Sequence, residues 1–204
     1  MLYKKSWSTL AIVGIEKERR LYIVASVFLS RFFIMNHLKL YCLDNKYIDY
    51  LRQSDTRVAY NKNQTRPYVG VVYYYNDFTY FAPLSSPKPK HLKMNVRNID
   101  IFKIRNGQLG IVNLNNMIPV PSQSLIDFMP TVADSKYKSL LNDQITELNL
   151  NKDYLLKKVN LFQWSYRNNK LPKNVFMRTC NFELLEQKCL DYQKENLQGR
   201  HNKD

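Results

Sequence analysis

Up to about Pro121 the apolar residues of this chain fall in short alternating or β-rich runs, and from Asp134 onward they recur at helical spacing. A period of two suits one face of a pleated strand, while a period near 3.6 builds the apolar stripe of a helix. Strands first and helices after them predict an α+β domain, an antiparallel sheet covered by a helical layer. "HLKLYCL" reads as a strand, and "DNKYIDYLRQ" as a short helix capped by Asp44. Residues 54–67, "SDTRVAYNKNQTRP", are polar and read as a long loop. "YVGVVYYY" and "FTYFAPL" form a hairpin across Asn76-Asp77, and "VRNIDIFKIR" and "QLGIVNL" a second across Asn106-Gly107. The second signal is the stronger, because both residues tolerate the positive φ of a type I′ turn. "MIPVP" is a short strand ending at prolines. "DSKYKSLLNDQITELN", "KDYLLKKVNLFQWSYRN" and "NFELLEQKCLDYQKEN" read as three helices, with Asp134 and Asn181 as caps. The polar tail, residues 197–204, is expected to fray.

Charge narrows the function. The chain has 204 residues, enough for one domain, and 31 Lys+Arg against 17 Asp+Glu leave it at +14. Such a surface attracts polyanions: RNA, DNA or anionic lipid. Fifteen Tyr and ten Phe offer flat faces for unpaired bases, although most such aromatics serve a core or strand. Cys42, Cys180 and Cys189 lack CxxC-type spacing, which speaks against a disulfide framework or zinc site and for a reducing cytoplasm. P-loop, GxGxxG, HExxH and GxSxG patterns are all missing, so the common nucleotide, zinc-protease and hydrolase readings have no support.

The first 34 residues differ from the rest, alternating basic clusters with apolar runs. The run between Arg20 and Arg31 holds ten residues, too few to span a bilayer, and no small-residue cleavage site follows. The expectation is that the functional domain, residues 35–196, begins at Met35 and that residues 1–34 are an upstream extension. The competing reading is an N-terminal helix or membrane anchor. No membrane partner is expected for the domain itself.

The stretch "FAPLSSPKPKH" carries the most chemistry. It leaves a strand and sets two hydroxyls, two lysines and one of three histidines within seven residues. Taken alone it reads as a solvated Pro-rich turn.

Together with its neighbours it says more. "YVGVVYYYNDFTYFAPLSSPKPKH", "NGQLGIVNLNNMIPVP" and "TCNFELLEQK" resemble, in order and spacing, the ToxN/AbiQ toxins of type III toxin–antitoxin systems, over about Lys39 to Tyr192. The resemblance implies a metal-independent endoribonuclease that needs no cofactor. It would cleave single-stranded RNA to a 2′,3′-cyclic phosphate and a 5′-hydroxyl. The implied fold is a strongly twisted, barrel-like antiparallel sheet with packed helices, similar to MazF/Kid toxins. The implied partner is an RNA antitoxin of pseudoknot repeats that closes a toxin–RNA ring, and the implied role is abortive infection against phage.

The family's hydroxyl-hydroxyl-Pro-Lys motif falls on Ser85, Ser86, Pro87 and Lys88, with Ser85 where relatives often have Thr. The cation before the "VG" strand falls on Arg66. The family's upstream tyrosine is matched by Tyr60, six residues before Arg66 rather than four, and a histidine beyond the lysine by His91.

Metal-free cleavage of RNA needs a base for the 2′-hydroxyl, donors for the charge growing on phosphorus, and an acid for the departing 5′-oxygen. The two serines can bond phosphate oxygens, Lys88 can neutralise charge, and Arg66 can clamp a phosphate. Tyr60 and His91 are the remaining proton carriers, and which group is acid and which base stays open. Lys90, Lys93, Lys157, Lys158, Arg167, Lys170, Lys173 and Arg178 are candidates for RNA contact, or equally for exposed helix faces. The alternative to an enzyme is a non-catalytic RNA-binding module with the same basic, aromatic surface.

Overall fold

The structure, a computed structural model, describes residues 37–127 and 134–201, with the backbone alone for 197–201. The expected extension, its boundary at Met35 and the last three residues of the tail lie outside the described residues. The strands are β1 (Lys39–Leu43), β2 (Tyr68–Tyr75), β3 (Phe78–Ser85), β4 (Ile101–Lys103), β5 (Ile111–Asn113), β6 (Ile118–Pro119) and β7 (Leu125–Asp127). The helices are α1 (Asn45–Ser54), α2 (Pro89–Lys93), α3 (Ser135–Leu150), α4 (Lys152–Arg167), α5 (Lys173–Phe176) and α6 (Phe182–His201). α6 therefore continues past Leu197, where fraying was expected.

Among the described residues the strands pair antiparallel in one seven-stranded sheet, ordered β4-β5-β3-β2-β1-β7, with β6 pairing β3 off that path. The Asn76-Asp77 turn is tight, as predicted: Asn76 stands at φ 49° and Tyr75 faces Phe78. The β2–β3 register shifts between Val69 and Tyr73, an irregularity that bends a strand and increases its twist. β2 and β3 approach closely at Gly70, where a Cβ would intrude on the Phe81 ring. β3 changes partner along its length, from β6 at Tyr80 and Phe81 to β5 at Leu84 and Ser85. Its end is therefore held on both edges.

The Asn106-Gly107 signal does join two strands, but not through a two-residue turn. Residues 104–110 connect β4 to β5, with Arg105, Asn106, Gly107 and Gly110 all at positive φ. Three short elements had no sequence signal strong enough to find them, among them the single turn α5. β7 is a three-residue strand paired with β1, and α2 is a single turn begun by Pro89 inside the stretch read as a loop.

The caps hold as read. Asp44 accepts from Lys46 N, Asp134 from Lys136 N and Tyr137 N, and Asn181 Oδ1 from Leu184 N. α4 packs on β2, and α6 on β6 and α1. The core runs from Leu43, Tyr47 and Leu51 through Tyr80 and Phe81 to Phe162, Phe182 and Leu185.

One polar cluster ties both long helices to the sheet. Arg167 of α4 meets Glu186 of α6 at 2.5 Å and Glu183 at 3.5 Å, and its guanidinium lies 3.5 Å from the Tyr75 ring centre. The buried Tyr80 hydroxyl donates to the same Glu186 oxygen. All three thiols are buried. No helix of the described residues is long and apolar enough to cross a membrane.

Candidate active site

β3 delivers the hydroxyls. Ser85 is its last residue, pinned by Asn113 of β5, whose Nδ2 donates to Ser85 Oγ at 3.0 Å and to Pro83 O at 3.1 Å. Beneath the strand end lies Gly110 at φ 101°, where a Cβ would collide with the Ser85 carbonyl, so only glycine lets the chain pass. Ser86 and Pro87 then project into solvent, and Lys88 occupies the cap position of α2 with an extended backbone.

α2 is fixed from below. Lys103 Nζ donates to the Leu92 and Met94 carbonyls at 3.0 and 2.9 Å, and His91, on the inner side of α2, is 1 % exposed. The motif's chemistry therefore stands on a short turn with a buried root.

The second wall comes from the loop before β2. Lys62, Asn63 and Gln64 are consecutive left-handed residues, at φ 52°, 55° and 65°, a run that L side chains adopt at a cost. Long-range bonds hold it: buried Asn61 donates to Leu43 O and Asn45 Oδ1, and the Cys42 thiol to Gln64 O. This turn delivers Thr65 and Arg66. Arg66 Nε donates to Tyr60 O at 2.6 Å and Nη1 to Leu84 O at 3.4 Å, which leaves three of its five N–H groups for a ligand.

These segments meet around a cavity of about 370 Å³ lined by Lys62, Thr65, Arg66, Ser85, Ser86, Lys88 and Tyr137, with Pro67 and Leu84. Four sequence candidates, Ser85, Ser86, Lys88 and Arg66, thus come together. None of the described lining residues is a carboxylate, so the cavity attracts anions. Its size suits a phosphate with its flanking ribose.

Two other candidates stand elsewhere. The Tyr60 ring is 56 % exposed, lies 5.6 Å from the Arg52 guanidinium and does not line the cavity; its contribution is the backbone carbonyl that steers Arg66. His91 is buried rather than presented, so the place beside a substrate expected for it is corrected to the inner side of α2, the helix it belongs to. Sequence reading missed Lys62, Thr65 and Tyr137. Position 62 lies four residues before Arg66, where the resembling family has its tyrosine, and here holds lysine.

Among the proposed RNA contacts, Lys90, Lys93, Lys157, Lys170 and Lys173 are exposed. The other three are engaged within the protein. Arg167 lies in the carboxylate cluster under the helices, Arg178 Nε donates to buried Asp100 at 2.7 Å, and Lys158 Nζ to Val96 O at 2.8 Å. The expectation of a free basic face on α4 is corrected for Arg167, because its charge is already neutralised.

His91 makes the fold sensitive to acid. Its Nδ1 has no partner among the described residues. Burial first, then the charges of Lys90, Lys88 and Lys103, lower its pKa from 6.5. The unfolded chain therefore binds this proton more readily, and stability falls as pH drops through the window beneath about 6.5. Thermal unfolding followed from about pH 8 to about pH 5 should show a falling melting temperature that His91→Phe, which cannot charge, flattens. Superimposable pH curves for the two proteins would refute this role.

The class of protein follows from fold, cavity and kinship together. The family described as "Toxin ToxN, type III toxin-antitoxin system" matches residues 39–190. An endoribonuclease ToxN of Bacillus thuringiensis subsp. kurstaki is 34% identical over 167 residues, covering 78% of this chain and 86% of the relative. Endoribonuclease AbiQ of Lactococcus lactis subsp. lactis is 33% identical over 171 residues, covering 78% of this chain and 91% of AbiQ. The solved structure of AbiQ, a lactococcal anti-phage endoribonuclease, superposes with a TM-score of 0.68 at 28% identity, over 78% of this chain and 99% of that one. A second solved structure, of a type III toxin selectively inhibited by a non-coding RNA pseudoknot, gives 0.64 at 32% identity, over 77% and 98%. ToxN and AbiQ are endoribonucleases, and AbiQ is an anti-phage one. The chain belongs to their family, the ToxN toxins of type III toxin–antitoxin systems.

Proposed function

We propose that this endoribonuclease toxin cleaves single-stranded RNA without a metal at the cavity between β3, α2 and the 62–66 turn, leaving a 2′,3′-cyclic phosphate and a 5′-hydroxyl. The supporting observation is that Arg66, Ser85, Ser86 and Lys88, from two separated segments, line one anion-attracting hollow. Hydroxyls and cations there would hold the phosphate and offset the charge that grows as the 2′-oxygen attacks. Lys62 and Thr65 extend the same surface.

In the cell, the partner we assign is a pseudoknot RNA that silences the toxin, as inhibition of a relative by such an RNA suggests; repeats of it would close a ring with the toxin. The work would be cytoplasmic and directed against phage. The excess of positive charge and exposed Lys90, Lys93, Lys157, Lys170 and Lys173 suit a polyanionic partner, whose binding would weaken steeply with salt. The bend in β2–β3 and the change of partner along β3 are compatible with the barrel-like MazF/Kid architecture.

Purified protein incubated with single-stranded RNA in excess EDTA should cut it, with cyclic phosphate ends detected by their resistance to phosphatase until opened by acid. RNA that is bound yet stays intact would instead favour the non-catalytic binding module.

A further inference from the structure

Resting on the ribonuclease reading above, we propose that Tyr137 is the acid of the site, delivering its phenolic proton to the departing 5′-oxygen. Nothing near it in sequence marks it, since it lies in the first turn of α3, about fifty residues beyond the serine motif. The fold brings it to the cavity wall with Ser85, Ser86, Lys88 and Arg66. Its position is firm: the Asp134 carboxylate accepts from the Lys136 and Tyr137 amides at 2.8 and 3.1 Å, and the half-buried ring packs against the core. The phenol thus comes from a separate element from the strand end that carries the paired hydroxyls.

That placement matters for an in-line displacement, in which the entering and leaving oxygens stand on opposite sides of phosphorus. Groups that hold the phosphate cannot flank the leaving oxygen as well, so the acid must come from another direction. Of the other proton carriers, Lys88 stands beside the serines among the groups that hold the phosphate, and Tyr60 and His91 do not line the cavity. Tyr60 points its ring to solvent and Arg52, and His91 is buried on the inner side of α2. Arg66 lines the cavity but does not surrender a proton near neutral pH.

The environment of Tyr137 suits a donor. Burial, then the neighbouring Cys42, raise its pKa from 10.0 and keep it protonated at neutral pH; what favours donation is the nearby Arg66 charge, which opposes that shift and would steady the phenolate once formed. In the step itself the 2′-oxygen forms a bond to phosphorus and gives up its proton to water. The bond from phosphorus to the 5′-oxygen breaks with its electron pair on oxygen, and that oxygen takes the phenolic proton. The phenolate regains a proton from water, so no oxidant or reductant is needed.

The test compares Tyr137→Phe with the unaltered protein on two RNAs, one ordinary and one with sulfur replacing the 5′-oxygen at the cleaved link. A thiolate, with a pKa near 8.5, departs without a proton. On ordinary RNA the variant should lose about 10²–10³-fold in single-turnover rate, with unchanged affinity for a 2′-deoxy, uncleavable RNA. On the sulfur-linked RNA the two proteins should cleave alike, whereas Lys88→Ala should be slow on both. Equal losses on both RNAs would make Tyr137 a phosphate ligand, and no loss on ordinary RNA would remove it from the reaction; either result overturns the proposal. Failure of the unaltered protein to cut either RNA would instead sink the ribonuclease reading itself. Because phenylalanine keeps the ring, folding is preserved, and an unchanged melting temperature documents it.

Discussion

Lys88→Ala is expected to slow RNA cleavage by about 10²–10³-fold and to abolish growth arrest on expression, while the protein stays folded. Lys88 lines the cavity beside Ser85 and Ser86, is exposed, and makes no side-chain bond at the start of α2. Its removal therefore costs the fold no more than about 0.5 kcal/mol. The cost to catalysis is large because the charge on the phosphate oxygens grows toward the transition state, so an aimed cation acts more strongly there than in the bound substrate. Ser86→Ala removes one neutral donor and should lose about tenfold, the size of a single hydrogen bond of about 1.4 kcal/mol. Single-turnover cleavage of a labelled oligonucleotide, with circular dichroism as the folding control, measures both. A Lys88→Ala protein that arrests growth as strongly as the parent would place the chemistry elsewhere.

The largest expected loss of stability comes from a residue remote from the site. Glu186→Ala should destabilise the protein by about 3–5 kcal/mol, because it strands the charge of Arg167 and the hydroxyl of buried Tyr80 at once. The Arg167 and Glu186 side chains are only 15% and 12% exposed, so water compensates little. For a domain of this size the melting temperature should fall on the order of 10 °C. Glu183, itself 59% exposed and 3.5 Å from Arg167, offers only weak relief. Glu186→Gln should lose less, since its oxygen still accepts from Tyr80. A fall of under about 2 °C for the alanine variant would mean that the cluster does not fasten α4 and α6 to the sheet.

The contrast between Lys88 and Arg167 shows what could be read along the chain. Both are cations: the family motif made Lys88 a catalytic candidate, and residue type alone made Arg167 a candidate for RNA contact or an exposed helix face. Lys88 sits between prolines just beyond a strand, a local context that leaves it in solvent. Arg167 ends a helix whose face is decided by strands some 90 residues earlier, where Tyr75 and Tyr80 wait for it. Tyr60 and Tyr137 make the same point in reverse. The one nearer Arg66 in sequence turns its ring away, and the one 71 residues beyond Arg66 reaches the cavity.

The hairpins differ for a related reason. Asn76-Asp77 closes a tight turn because the flanking runs pair right up to it, whereas the contacts of α2 and α3 with residues 104–107 hold the Asn106-Gly107 connection open as a longer loop. β7 and α2 are each only a few residues long, too short for any periodic pattern to register.

What the amino-acid order settled by itself was the local framework: strands before helices, the caps at Asp44, Asp134 and Asn181, the tight turn at Asn76, and a hydroxyl-Pro-Lys motif at a strand end. Those features depend on residues a few positions apart, whose spacing and backbone preferences act before the chain closes on itself. The tertiary structure alone decided which cations stay free, that His91 is buried, and that Tyr137 shares a cavity with Ser85 and Arg66. Burial, charge pairing and the walls of a cavity are properties of surfaces brought together from distant segments, and no window along the chain contains both sides.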